Sequence, residues 1–479
     1  MSVRKIRVRN FRGFESACIE LKPLTVLLGP NSAGKSVFGH ALAAMSYAQW
    51  LRGGSNQATL TPEHAKAADE WPIDLGLRTD LVTNGVQDRV YVELLTRDGW
   101  VEFGFGGLEP RIPDLRLTYI RYPLPPPGHS ATAQASPEAI SQVPEGAQSG
   151  LGEIVQVGFE TEKSGLELLR INEVEWQTRA GKQASVGLNG FLLETVRHES
   201  GTEVLVSGRA SDDIKKLLQN LGYIRATRKR PARSYEKGAG AFQPIGYAGE
   251  WTASILRSPN VASVPFAVPP EIPNTVAQAA AQIDVPWRIQ RDSVAAATCF
   301  WLQHLRIATK VEAVDSTRQP GRIEARFTIN QNGKPHDITE VGFGLSQVLP
   351  ILVGGLTQPE ESLFIVDLPE AHLHPRPQAE LADFFCSLAL SKRSVIVETH
   401  SEMFFHRLRL WAALNQELAN KIAVYFVDPP NPNNICVEPR PVGLAFQDEL
   451  TWPKGFLQEA WEMESQIKAA REARRPVTR

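Results

Sequence analysis

One octapeptide constrains this chain more than any other. Residues Gly29-Pro30-Asn31-Ser32-Ala33-Gly34-Lys35-Ser36 meet the pattern G-x-x-x-x-G-K-[ST] without substitution. An apolar strand, Leu24-Thr25-Val26-Leu27-Leu28, leads into them. A helix pattern leads out, from Ser36 through Val37 to Leu51, with Phe38, Leu42, Met45 and Ala48 three or four apart. Strand, glycine loop and helix in that order are the context a phosphate loop needs. Glycines let consecutive backbone N–H groups converge on phosphate oxygens, and the helix N-terminus adds partial positive charge. Lys35 is placed to reach the β and γ phosphates, and Ser36 to ligate Mg²⁺. Gly29 to Val37 are therefore the candidate nucleotide-binding residues.

With 479 residues the chain is long for one compact domain, so it reads as one large domain with an insertion, or as two. A hydrophobic share of 42 % supports a real core. The formal net charge of −2 excludes a polycation built for nucleic acid, though not a local basic patch. Cys18, Cys299, Cys386 and Cys436 lie far apart, with no C-x-x-C or Cys/His cluster for zinc, and read as free thiols of a reducing compartment. No secretory leader and no run of about 18 apolar residues is present, so a soluble, cytoplasmic protein is expected.

The opening residues are β-like: Val3, Ile6 and Val8, then Phe11, Phe14, Ile19 and Leu21. Arg89 to Leu95 and Trp100 to Phe105 form a second expected hairpin. Pro123 to Gly152, rich in Pro, Gly, Ser and Ala, reads as an exposed linker. A small mixed segment follows, closing in an amphipathic helix around Asp212 to Leu218. Between Ile224 and Arg233, five of ten residues are Arg or Lys. That run suits a nucleic-acid or phosphate contact, and equally a polar strand facing solvent, a partner or the rest of the domain. Val285 to Ile307 reads as a helix and Arg322 to Asn330 as a strand, with an Asn332-Gly333 turn after it. The boundaries read as 1–110, 111–221 for the inserted linker and small subdomain, and 222–479.

Three downstream elements complete the pattern. Gly342, Gly344, Ser346 and Gln347 open a helix and make either a second anion-binding element or an ordinary cap. Pro350 fits that helix if it falls in the first turn. Leu363-Phe364-Ile365-Val366-Asp367 reads as a buried parallel strand whose terminal carboxylate emerges where ligands bind, making Asp367 the candidate Mg²⁺ ligand with Ser36. Glu370 is placed to polarise an attacking water. His372 and His374 lack a third ligand and read as structural. A further buried strand, Ser394 to Val397, runs into Glu398-Thr399-His400-Ser401, where His400 is placed to contact the γ-phosphate or the water. The candidate catalytic set is Asp367, Glu370 and His400.

This order of elements resembles the ABC-type ATPase heads of the SMC/RecF/OLD group, closest to compact OLD-like ATPases without a Toprim domain. Ile6 to Phe14, the phosphate loop, the glycine-serine helix start, Pro369 to Pro375 and Glu398 to Ser401 carry the likeness. Gly246 to Glu250 and Trp452 to Phe456 add to it. The resemblance implies an α/β head: a mixed sheet with flanking helices, an N-terminal antiparallel β subdomain and an inserted middle segment. It implies ATP and Mg²⁺ as cofactors, and Gly344 and Ser346 acting in trans across an ATP sandwich, hence a homodimer or higher oligomer. Two departures matter. Leu368 stands where the group commonly has a second acid, so hydrolysis relies on Glu370 or is slow. No heptad run and no Toprim segment follows, so an effector such as a nuclease or toxin is expected on another chain. The expected function is a Mg-ATP-dependent switch controlling DNA or an effector, pointing by family analogy to antiphage defence. Alternatives are a nucleotide-gated scaffold with little turnover and a RecF-like DNA-repair ATPase.

Overall fold

The computed structural model describes residues 2–51, 89–106, 116–123, strand segments between 154 and 205, and 209–240, 243–258, 263–272, 283–329, 333–430 and 436–444. The expected linker beyond Pro123, Asn332 of the expected turn and the Trp452 to Phe456 segment lie outside them.

Strands β1 (Lys5–Phe11) and β2 (Phe14–Glu20) form a hairpin, with Phe11 opposite Phe14. Next come β3 (Leu24–Leu28) and helix α1 (Val37–Leu51). The second hairpin is β4 (Arg89–Leu95) and β5 (Trp100–Gly106). Strands β6 (Arg116–Pro123), β7 (Ile154–Gly158) and β8 (Val174–Trp176) extend it into one antiparallel sheet of order β8-β7-β6-β5-β4-β1-β2. The sheet crosses residue 110, so both sides of that boundary share one ladder. Helix α2 (Arg209–Gln219) returns to the head: Ile214 and Leu218 join the core that holds α1, and buried Asp213 pairs with Arg97.

The central sheet runs β9 (Leu221–Ile224), β10 (Leu363–Asp367), β11 (Ser394–Glu398), β3, β12 (Ile422–Phe426) and β13 (Arg440–Pro441). The first five are mutually parallel. Strands β3, β10 and β11 are buried throughout, as parallel strands covered on both faces must be. Alternation divides their side chains between two cores. Leu27, Ile365 and Ile396 face the layer of α1 and the antiparallel sheet, while Val26, Val366 and Val397 face the opposite layer. Helix α1 lies in the first layer and is buried nearly all round, which is why its sequence is apolar on every face. Helices α3 (Thr252–Arg257), α4 (Val294–His304), α5 (Phe343–Thr357), α6 (Pro375–Leu390) and α7 (Glu402–Leu414) contribute to the second core. Among the described residues, no helix is long and apolar enough to cross a membrane.

Three local readings are corrected. Val285 to Ile307 is not one helix: Arg288–Asp292 pairs as a strand with Val264–Val268, and α4 begins only after Ser293. The Ser293 hydroxyl accepts from Ala296 N–H, an N-cap that sets the start. Pro350 sits inside α5 rather than in its first turn. Its ring packs on Gly249, where a Cβ would lie 2.4 Å from the Pro350 side chain. The basic run is not a strand beyond Ile224. Arg225 and Lys229 N–H groups instead bond Tyr247 and Ala248 carbonyls.

Candidate nucleotide-binding site

Three parallel strands deliver their chemistry to one edge. β3 ends beside Gly29, β10 ends at Asp367 and β11 ends at Glu398, with Asp367 and Glu398 in register. The loop cannot be built without its glycines. Gly29 has φ +142 and its missing Cβ would lie 2.2 Å from the Val427 carbonyl oxygen; Gly34 has φ +95 and would strike the Phe14 ring at 2.7 Å. Between them run Pro30, Asn31, Ser32 and Ala33, with Ser32 left-handed at φ +61, and Val37 N–H closes onto the Gly34 carbonyl at 3.1 Å. Such alternation of handedness points successive N–H groups into one concavity.

Lys35 is only 2 % exposed. Its ammonium donates to the Pro30 carbonyl at 2.6 Å and lies 3.8 Å from Glu398 Oε1. Burial lowers its pKa, while Glu398 and Glu370 oppose that shift. Asp367 accepts a hydrogen bond from the Tyr223 hydroxyl, and His40 Nε2 stands 3.6 Å from the same oxygen. Burial, then the neighbouring Asp367, pushes the Tyr223 phenol pKa well up, so it stays a donor.

After Asp367 the chain turns sharply. Leu368 takes φ +45, its N–H bonds the Glu398 carbonyl at 2.9 Å, and Leu373 N–H bonds the Glu370 carbonyl at 3.0 Å. Arg228 holds this turn. Its Nη2 donates to the Asp367 carbonyl at 2.6 Å and the Leu368 carbonyl at 2.9 Å. Burial lowers its pKa to about 10, opposed by Asp367 and Glu370, so it remains a cation at neutral pH.

The turn places Glu370 against the end of β11. Glu370 Oε1 accepts the His400 backbone N–H at 2.7 Å, while Oε2 is buried without a partner. His400 Nδ1 is 2.7 Å from the Gly29 carbonyl. A carbonyl only accepts, so Nδ1 carries the proton and Nε2 is left as an acceptor. Burial, reinforced by Lys35, lowers the His400 pKa and keeps the ring neutral. Glu398 completes the cluster. Burial, then Asp367, raises its pKa to about 7, against a hydrogen bond with Ser36 and the charge of Lys35.

The structure thus gathers Lys35, Ser36, Asp367, Glu370 and His400 at one strand edge. It does not bring the α5 residues to them in the same chain. Gly342 caps α5 in open space, whereas a Cβ on Gly344 would meet the His372 carbonyl at 2.5 Å. Ser346 and Gln347 are buried, the serine hydroxyl donating to the Phe343 carbonyl at 2.6 Å. A cavity of about 460 Å³ fronts this helix start, lined by Glu340, Val341, His336 and His372 among others, and by no residue of the phosphate loop. His372 and His374 both line it, and among the described residues no group of three or more His, Cys, Asp or Glu could hold a metal. A Mg²⁺ at Ser36 and Asp367 would therefore complete its shell with phosphate and water, which is that ion's habit. The unpartnered carboxylate oxygens of Glu370 and Glu398 fit a cation at this edge.

Sequence reasoning missed Glu398, Tyr223, His40 and Arg228. Glu398 ends an apolar strand just as Asp367 does, so the same rule would have found it. Tyr223 and Arg228 reach Asp367 from 144 and 139 residues away and His40 from within α1; of these, Arg228 alone lay in a stretch the sequence singled out, the basic run.

A phosphate loop on a parallel sheet, with an acid strand and a histidine beside it, defines an ATPase-type P-loop nucleotide-binding protein. The chain belongs to the family described as "AAA domain, putative AbiEii toxin, Type IV TA system", whose model matches residues 155–405, and a model described as "AAA ATPase domain" matches residues 1–68. No curated protein matches the chain. It is similar to a solved SMC head domain from Thermotoga maritima (11 % identity, 92 % of this chain, 99 % of that one, TM-score 0.33). It is also similar to an Smc head bound to the C-winged helix domain of ScpA (10 %, 94 % and 100 %, 0.41). A third similar structure is a Pyrococcus furiosus-derived Smc head with an extended coiled coil, bound to the C-terminal domain of ScpA (9 %, 97 % and 99 %, 0.39).

Proposed function

We propose that this protein is a Mg-ATP-dependent switch whose hydrolytic site is shared between two copies and whose state controls DNA or a separate effector. The observation that carries this is the separation within one chain: the phosphate loop edge holds Lys35, Asp367, Glu370 and His400, while the α5 start opens on a cavity the loop does not line. The first N–H groups of α5 lack intrahelical acceptors, so a second copy's phosphates are a fitting partner. Ser346 is turned into its own helix, so backbone N–H groups near Gly342 carry the contact in this arrangement. Glu370 takes the role that Leu368 cannot. It is anchored by His400, whose free Nε2 accepts from the attacking water rather than donating to phosphate. The family description, with its toxin and type IV TA wording, supports a defence role.

A mixing experiment tests the shared site. Gly342 has nothing within 4 Å of its Cβ position, so Gly342→Arg is tolerated in the chain but obstructs a facing copy. Lys35→Ala and Gly342→Arg are each inactive alone; mixed, they recover part of the wild-type phosphate release, because one composite site per mixed dimer is intact. Absence of any recovery, with both variants folded, refutes the shared site.

A further inference from the structure

We propose that Glu398 is the second carboxylate of the divalent-cation site, beside Asp367 on the adjacent strand, and that Lys35 occupies that site until nucleotide arrives. The proposal rests on the phosphate-site reading above and deepens it.

Position divides the labour between the two glutamates. Glu370 is bonded to the His400 N–H, and His400 to the Gly29 carbonyl, so Glu370 belongs to the mouth of the loop. Glu398 is in register with Asp367 on the adjacent strand and hydrogen-bonded with Ser36, so it belongs to the side where Ser36 and Asp367 would meet a cation. It is 8 % exposed, and its Oε2 has no partner at all. Its other oxygen faces the Lys35 ammonium at 3.8 Å. Lys35 itself is bent back onto the Pro30 carbonyl, a position it must leave to reach a phosphate.

Charge balance then requires a replacement. Asp367, Glu370 and Glu398 are buried together, and their only buried cations are Lys35 and Arg228 among the described residues. Arg228 is committed to the carbonyls of Asp367 and Leu368. When Lys35 turns to the nucleotide, Glu398 is left unpaired and buried beside another carboxylate, an arrangement that a bound divalent cation stabilises. Cation and nucleotide binding are thereby coupled through one carboxylate, and the coupling is reciprocal.

The test measures binding, not turnover. Mn²⁺ is titrated by electron paramagnetic resonance onto protein loaded with a non-hydrolysable ATP analogue. Glu398→Gln is expected to weaken Mn²⁺ roughly tenfold or more, the usual effect of losing a group that supports a metal site. In EDTA the same variant binds a fluorescent ATP analogue at least as tightly as wild type, because Lys35 is released from its parked position. A second variant needs no nucleotide: Lys35→Met frees Glu398, so Mn²⁺ binds the nucleotide-free protein several-fold more tightly than it binds wild type. Mn²⁺ affinity within twofold of wild type in both variants overturns the proposal. Wild-type protein that binds no ATP analogue overturns the phosphate-site reading and this proposal with it, a result distinguishable from the first.

Discussion

Arg228→Met separates two readings of the basic run. If Ile224 to Arg233 is a nucleic-acid contact, Arg228 behaves like its neighbours. In the structure it does not resemble them: Lys229, Arg230 and Arg233 are exposed, whereas Arg228 is 4 % exposed. Methionine keeps the volume and removes both hydrogen bonds, leaving the Asp367 carbonyl without this donor and the Leu368 carbonyl with the Ala371 N–H at 3.3 Å. Each such loss costs about 1–3 kcal/mol. Removing the cation also leaves buried carboxylates less compensated, and breaking a buried pair costs about 3–5 kcal/mol. The terms overlap, because the same guanidinium supplies both. Its own desolvation, seen in a pKa drawn down to about 10, is returned on removal. A net loss of about 2–4 kcal/mol follows, or ~2–4 °C in thermal midpoint for a chain of this length, because the unfolding entropy scales with residue number. The Leu368 turn, left-handed at φ +45, loses its clamp, so Glu370 is displaced and ATP turnover falls with stability. Charge reversal at Lys229, Arg230 or Arg233 changes stability by no more than about 0.5 kcal/mol. Thermal melts and phosphate release on the four variants decide the matter. Arg228→Met melting within about 0.5 °C of wild type, with unchanged turnover, refutes the clamp.

Acid lability should centre on Asp383. Burial opposes its ionisation, but Arg407 (2.6 Å) and His304 (2.7 Å) outweigh that and hold its pKa below the ordinary carboxylate value. A depressed folded pKa contributes stability that is fully present above the unfolded value, about 3.9, and is lost as pH falls through the folded value. Denaturation monitored from pH 7 to pH 2 should therefore show an acid limb that Asp383→Asn flattens while lowering stability at pH 7; an unchanged limb contradicts the assignment. Gly29→Ala drives a Cβ to 2.2 Å from the Val427 carbonyl oxygen, which cannot yield because Val427 N–H is bonded to the Leu28 carbonyl at 2.8 Å. Overpacking of this kind costs about 1–3 kcal/mol, and isothermal titration should show nucleotide affinity lost with it; full affinity would show that the loop adapts.

Much of the site was legible because its parts are local. A phosphate loop needs glycines at set positions, and a parallel strand buried on both faces needs an apolar run, so β3, α1, β10 and β11 announce themselves in a few residues each. Asp367 and His400 were readable as polar residues where apolar runs stop. The hairpins at β1-β2 and β4-β5 were readable from alternation. The mixed segment was not, because strands β6 to β8 find their partner in the hairpin sheet, and pairing across such distances leaves no local mark. Val285 to Ile307 misled because its apolar points suit a helix, while Ser293 caps only the latter part.

By itself the sequence determined the chemistry on offer: a triphosphate-binding loop, an acid strand, a histidine after a third strand, and a leucine where a second acid is common. Only the tertiary structure decided which groups meet. Register between β10 and β11 sets Asp367 beside Glu398, a left-handed Leu368 swings Glu370 to His400, and Arg228 crosses from the basic run to hold that turn. The reason is physical. A backbone motif is specified by neighbours along the chain, but a buried charge is specified by whatever the fold places within hydrogen-bond reach, and burial makes that choice costly to change.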